Sequence, residues 1–463
     1  MSRTLPNPDP AGPRLLRLAA LLAGGALGAA AVLLAAWLVA AGPGQERHAG
    51  VPLVRAEEPY GPPAAEVSGT VTDAATGRPL PAARVAYGPY LVTAGPDGAF
   101  SLGVLPATGE LRVLAPGYRP FHGPPGRSPA LQPLTVRGVY QPLATLGSEE
   151  ARGRVLDLAR STEINAVVMD VKGDAGEVHP AVATPEAAGA VYDPGGDLAA
   201  YLAELEEAGV YTIARVVCFR DSARVSQRPD LAVRLASGEP YRDQQGQAWV
   251  DAANPEAWDY VLDVAVAAAE LGFDEVQFDY VRFPGVDSRI AYSPAAATGE
   301  ARVAAIAGFL RAASARLWPL GVPIGIDTFG LTAVTASEQG LGQRIEDLAP
   351  HVDYLSPMVY PSTWEAGAFG EPYPAAAPAA VVRQSVRSAV ERLAAFPHVR
   401  VRPWLQAFDD YGPRDLPYGP AEVREQIRAA EAAGATGWLL WHPGGAYERD
   451  ALRGPEATAG PGG

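Results

Sequence analysis

From residue 134 onward the chain alternates short apolar runs with longer stretches whose apolar positions recur at helical spacing among Ala, Leu and Glu. Eight runs read as strands: 135–140, 166–170, 211–217, 275–279, 322–327, 354–358, 399–404 and 437–441. Between them 149–160, 198–208, 255–271, 303–317, 380–394 and 421–433 read as helices, several closed by a glycine (Gly209, Gly272, Gly434) suited to a left-handed C-cap. Such alternation predicts a parallel sheet with helical crossovers, and eight units predict an α/β fold of the (β/α)8 TIM-barrel kind over 134–447. An open doubly wound sheet is the alternative. No Gly-x-Gly-x-x-Gly follows any of the strands, so nucleotide binding lacks its usual signature.

Upstream the pattern differs. Arg3, Arg14 and Arg17 fall within a polar segment, 1–17, and precede an uncharged apolar stretch, 18–41, long enough for a helix to cross a bilayer. The positive-inside rule then predicts a transmembrane anchor with the N-terminus in the cytoplasm and the remainder outside the cell membrane. A cleaved signal peptide, with secretion, is the alternative, since Ala40, Ala41 and Gly42 are small enough for cleavage. Residues 42–65, rich in Pro, Gly and Glu, read as a linker. Over 66–125, short alternating runs and the turn signal Asp97-Gly98 predict a small all-β sandwich. Its segments Val67-Ser-Gly-Thr-Val-Thr-Asp, Gly77-Arg-Pro-Leu-Pro-Ala-Ala-Arg-Val, Pro96-Asp-Gly-Ala-Phe and Ala115-Pro-Gly-Tyr resemble the carboxypeptidase-regulatory-like β-sandwich, which implies a spacer or adhesion module without catalysis. The Pro/Gly-rich tail, 454–463, is expected to be disordered.

Composition narrows the function classes. The net charge is −15 and no basic run occurs, which argues against a nucleic-acid partner. Cys218 is the only cysteine, so no intrachain disulfide framework exists. Among 37 Lys plus Arg, Lys172 is the one lysine, a sign that a compact ammonium is needed there and a planar guanidinium will not serve.

The chemistry of a barrel enzyme sits at the C-terminal ends of its strands. Residues 273–284 form the most telling case: alternation puts Val276 and Phe278 on one face, and Glu275, Gln277 and Asp279 on the other. Asp170, Asp279 and Asp327 close their strands; Lys172, two residues past Asp170, is expected on the same side, and Arg215 and Arg282 add further cations. Tyr280, Tyr360, Trp404, Gln406 and Trp441 lie at the same level, and Trp364 follows shortly after Tyr360. A mouth holding carboxylates, cations and aromatic faces suits glycoside hydrolysis, in which one carboxylic acid protonates the leaving oxygen and a carboxylate attacks or activates water. The competing reading makes the aspartates partners of Lys172, Arg215 and Arg282 in an interior ion-pair network, although burying so many charges for stability alone is a poor design. The six histidines are scattered and no Gly-x-Ser-x-Gly elbow is present, so neither a metal nor a cofactor is expected.

The ordered segments Asn165-Ala-Val-Val-Met-Asp-Val-Lys-Gly-Asp-Ala-Gly, Ala214-Arg-Val-Val-Cys-Phe-Arg-Asp, Trp249-Val-Asp, Gly272-Phe-Asp-Glu-Val-Gln-Phe-Asp-Tyr-Val-Arg-Phe-Pro, Asp327-Thr-Phe-Gly, Gly342-Gln, Asp353-Tyr-Leu-Ser-Pro-Met-Val-Tyr-Pro-Ser, Arg402-Pro-Trp-Leu-Gln and Trp438-Leu-Leu-Trp resemble an uncharacterised glycosyl-hydrolase-like family. That family is grouped with TIM-barrel glycosidases of the α-amylase and α-galactosidase kind. The resemblance implies a polysaccharide or oligosaccharide substrate and an acidic catalytic pair, mapped here onto Asp279 as nucleophile and Asp327 as acid, with Asp170 in reserve. Thr363-Trp364 stands where the family usually shows His-Tyr, which removes any histidine role from that loop. A glycan-binding envelope scaffold without turnover is the alternative.

Overall fold

The computed structural model describes residues 64–106 and 108–454. The predicted anchor, most of the linker and the end of the tail lie outside them. Among the described residues no helix is long and apolar enough to cross a membrane.

Eight parallel strands close into a barrel: β1 (Val136–Gln141), β2 (Ala166–Lys172), β3 (Tyr211–Val217), β4 (Glu275–Asp279), β5 (Ile324–Phe329), β6 (Tyr354–Met358), β7 and β8 (Gly437–Trp441). Each pairs with its sequence neighbours, β8 pairs back onto β1, and β5 with β6 completes the ring. The seventh strand comes in two pieces, Arg400–Val401 and Trp404–Gln406, because Pro403 between them has no N–H to give to the ladder.

The helices are α1 (Glu149–Ser161), α2 (Leu198–Glu207), α3 (Ser222–Gln227), α4 (Trp258–Leu271), α5 (Gly299–Leu317), the single turn α6 (Ile345–Leu348), α7 (Pro378–Arg392) and α8 (Pro420–Ala432). Local signals set their ends: Ser148, Asp197 and Thr298 cap α1, α2 and α5 by accepting from backbone N–H groups of the first turn. Gly272 ends α4 at φ 109°, a conformation that L side chains rarely adopt. Val276 and Phe278 of β4 pack outward into the large cluster shared with α4 and α5. The inward residues of β4 meet polar partners: Glu275 is paired with Arg402 and accepts from the Tyr211 hydroxyl at 3.2 Å, and Gln277 donates to Ser356 at 3.1 Å.

Preceding the barrel, a small β unit holds a four-stranded antiparallel sheet, in order Tyr90–Thr93, Arg84–Tyr87, Leu111–Leu114 and Phe121–Gly123, and a separate pair, Ala64–Thr70 with Ala99–Pro106. Val67, Val85, Phe100 and Val113 form its core. It meets the barrel at the ends where strands begin: Gly117 N–H donates to Tyr354 Oη at 3.1 Å, Arg400 to the Pro116 carbonyl at 3.3 Å, and Arg84 pairs with Asp353. The small unit thus covers the N-terminal face and leaves the opposite face open.

Candidate functional site

On that open face a cleft of about 240 Å³ is lined by, among others, Asp174, Arg215, Asp279, Tyr280, Trp404 and Trp441. Its organising group is Arg215, 2% exposed on β3. The guanidinium donates to Asp279 Oδ2 from Nε (2.9 Å) and from Nη2 (2.6 Å), to Asp170 Oδ1 from Nη1 (2.6 Å), and to Asp174 Oδ1 from Nη2 (3.0 Å). Register explains the convergence, since Arg215 sits opposite Asp170 on β2, and Asp279 is opposite Val217 two residues further along β3.

Each aspartate has its own surroundings. Asp279 Oδ1 accepts from the Tyr280 N–H at 2.5 Å, and Tyr280 itself turns with φ 48°, in the left-handed region unusual for a non-glycine residue. Asp327 is 1% exposed beneath the cleft: Trp404 Nε1 donates to its Oδ1 at 2.7 Å, while its Oδ2 has no hydrogen-bond partner among the described residues. Burial, and then the nearby charge of Asp279, raise its carboxyl well above the usual carboxylate range. Asp170 lies behind Arg215 and accepts from the Tyr140 hydroxyl at 2.5 Å; burial pushes it up to about 6 although Arg215 opposes the shift.

Aromatic rings form one wall. Tyr140 stacks on Trp441 at 4.0 Å, Trp404 meets Trp441 edge-on at 5.5 Å, and the Arg215 guanidinium lies over the Trp441 ring at 5.2 Å. Tyr360 and Arg282 also line the cleft, with Arg282 over Trp249 at 4.8 Å and Tyr280 at 5.0 Å.

Two expected site residues are placed elsewhere. Lys172 does not reach the mouth: it is fully buried, its Nζ 2.6 Å from Asp221 and donating to the Val217 carbonyl at 2.8 Å, with the Tyr260 ring of α4 5.7 Å away. The cause is an irregularity in the β2–β3 ladder between Asp170 and Lys172, which breaks the alternation that would have kept them on one side. Gln406 is also fully buried; it accepts from Ser362 N–H at 3.1 Å and donates to Ser362 Oγ at 2.8 Å, so it holds the loop after β6 rather than facing the cleft.

Several contributors escaped the sequence reading. Asp174 faces the cleft from the loop after β2 and lies 3.7 Å from Arg220, whose Nε donates to Asp243 at 2.8 Å. Trp249 Nε1 donates to the same Asp243 oxygen at 3.1 Å, which ties the long loop after β3 to the site. Loop residues carry no periodicity to mark them, although Asp174, Arg220 and Trp249 each lie within a segment that carries the family resemblance. Gln343 donates to the Asp327 carbonyl at 3.1 Å and accepts from Phe329 N–H at 2.9 Å, fixing the end of β5.

The chain is similar to several known proteins. Solved structures that are similar include the glycoside hydrolase domain of PgaB (BpsB) from Bordetella bronchiseptica, at 16% identity and TM-score 0.51, covering 69% of this chain and 99% of that one. A hypothetical protein from Ruminiclostridium thermocellum is 34% identical over 41% of this chain and 96% of its own, at TM-score 0.37. An α-galactosidase from Thermus thermophilus is 16% identical over 78% of this chain and 72% of its own, at TM-score 0.42. No curated protein matches. Residues 138–447, more than half of the chain, match the family described as "Putative glycosyl hydrolase domain", and the chain belongs to that family.

Proposed function

We propose that the protein is a glycoside hydrolase that cleaves a cell-wall or exported polysaccharide with Asp279 and Asp327 as its carboxylate pair. The observation that carries this reading is the contrast between the two. Asp279 is in the cleft and paired with Arg215, as suits a carboxylate that attacks or activates water. Asp327, raised by burial and with a buried Oδ2 that has no hydrogen-bond partner among the described residues, suits a carboxyl held protonated, the form that can donate to the leaving oxygen. Trp441, Tyr360 and Tyr280 offer ring faces for sugars. The family membership and the fold of the Bordetella domain support the same class. Turnover of a panel of defined glycans by wild type and Asp279→Asn tests the reading.

A second reading has its own support. Both oxygens of Asp279 are engaged, by Arg215 and by Tyr280 N–H, which also fits a glycan-binding scaffold without turnover. Binding of a glycan with no product over long incubation would favour it. We further place the barrel outside the cytoplasm, on the strength of the apolar stretch 18–41 behind Arg3, Arg14 and Arg17, with the small β unit as a carboxypeptidase-regulatory-like spacer.

A further inference from the structure

Beside the carboxylate cleft lies a second depression, of about 450 Å³, whose walls include Phe329, Gly330, Leu331, Thr363 and Trp364. Phe329 and Thr363 line both, so the two spaces adjoin along the rim between β5 and β6. At about 240 Å³ the cleft alone falls short of the roughly 300–1,000 Å³ usual for a ligand site; joined to its neighbour it reaches that range.

The neighbouring groove is built rather than incidental. Phe329, the last residue of β5, leaves 40% of its surface exposed at a strand end where an aromatic ring would ordinarily be covered. Trp364 is held from behind by Phe369 at 4.5 Å, and Phe369 adopts φ 59° to get there, a conformation uncommon for a non-glycine residue. Gly330 lets the chain leave β5 flush against β6: a Cβ there would collide with the Met358 carbonyl and come within 3.5 Å of the Trp364 ring.

We propose that this groove is a sugar subsite continuous with the carboxylate cleft, so that the substrate is an oligosaccharide or longer glycan whose further units stack on Phe329 and Trp364. The inference rests on the glycosidase reading above and adds to that site a place for the substrate's further units. Thr363 and Glu365 supply polar groups at the groove edge for sugar hydroxyls, while the exposed ring of Phe329 and the half-buried ring of Trp364 supply surfaces for the apolar face that a hexose presents on one side.

The test measures binding of cello-, chito- and galacto-oligosaccharides, from disaccharide to hexasaccharide, by titration calorimetry, with hydrolysis followed on the same series. Wild type, Trp364→Ala, the milder Trp364→Leu and, as a control on the small β unit, Tyr90→Ala are compared. In wild type and in the control, affinity for the recognised series rises with length. Each groove variant loses about tenfold on the hexasaccharide and keeps the disaccharide affinity. Length-independent binding in wild type, or an equal loss at every length in the variants, overturns the subsite while leaving the glycosidase reading intact. A wild-type protein that neither binds nor cleaves any member of the three series overturns both.

Discussion

Arg215 grips Asp279 from two nitrogens, Nε at 2.9 Å and Nη2 at 2.6 Å, while its remaining terminal nitrogen, Nη1, reaches Asp170 at 2.6 Å. One planar cation therefore fixes the direction of the proposed nucleophile and ties it to a second carboxylate on a neighbouring strand. A lysine carries the same charge but cannot make this fork. Arg215→Lys is expected to fold and to lose at least about tenfold in kcat with a smaller change in KM. Unchanged kcat would show that the orientation of Asp279 is set elsewhere.

The acid limb of the proposed chemistry belongs to Asp327, whose carboxyl is raised by burial and by the charge of Asp279. The rate should therefore persist to a pH above the ordinary carboxylate range before it falls as this proton is lost. Trp404 Nε1 donates to Asp327 Oδ1 and opposes the shift. In Trp404→Phe the alkaline limb of kcat/KM is expected to move further up. A limb that stays put, or moves down, would take the acid role from Asp327.

Asp170 gives a stability prediction of definite sign. Its folded value of about 6 exceeds the roughly 3.9 of an unfolded aspartate, so the folded state holds the proton more tightly. Its contribution is complete below about pH 4 and is lost as pH rises through about 6. Asp170→Asn cannot titrate. Urea denaturation should show the variant gaining on wild type through that window, and a difference independent of pH would contradict the assignment.

Lys172 occupies a closed slot between Asp221, the Val217 carbonyl and the Tyr260 ring, with no exposed surface. An arginine there must place extra atoms where none fit, at about 1–3 kcal/mol. Lys172→Met removes the charge and strands Asp221, which should cost about 3–5 kcal/mol. Denaturation midpoints check both values, and an unchanged midpoint for Lys172→Arg would make the lone lysine an accident of composition.

Sequence periodicity carried most of the barrel because alternation is local. On β4 it placed Glu275, Gln277 and Asp279 inward and Val276 and Phe278 outward, as their partners Arg402, Ser356 and Arg215 on one side and the helix-facing cluster on the other show. The same rule failed at Lys172, since one irregular residue in the β2–β3 ladder reverses the side. It also ran one strand through 399–404, where Pro403 divides it. Asp174, Arg220, Asp243 and Trp249 were illegible as a site because their meeting depends on the path of loops after β2 and β3, which no periodic pattern records. The lone lysine stands out in the composition, but its place is the core and not the mouth, and the need for a compact ammonium there is what Lys172→Arg tests.

The most direct measurement is hydrolysis of a glycan panel by wild type and by Asp279→Asn, with folding of both checked by circular dichroism. The account predicts that wild type releases product from at least one polysaccharide and that Asp279→Asn, with the same fold, is slower by about a hundredfold or more. Equal turnover by the two proteins would contradict it.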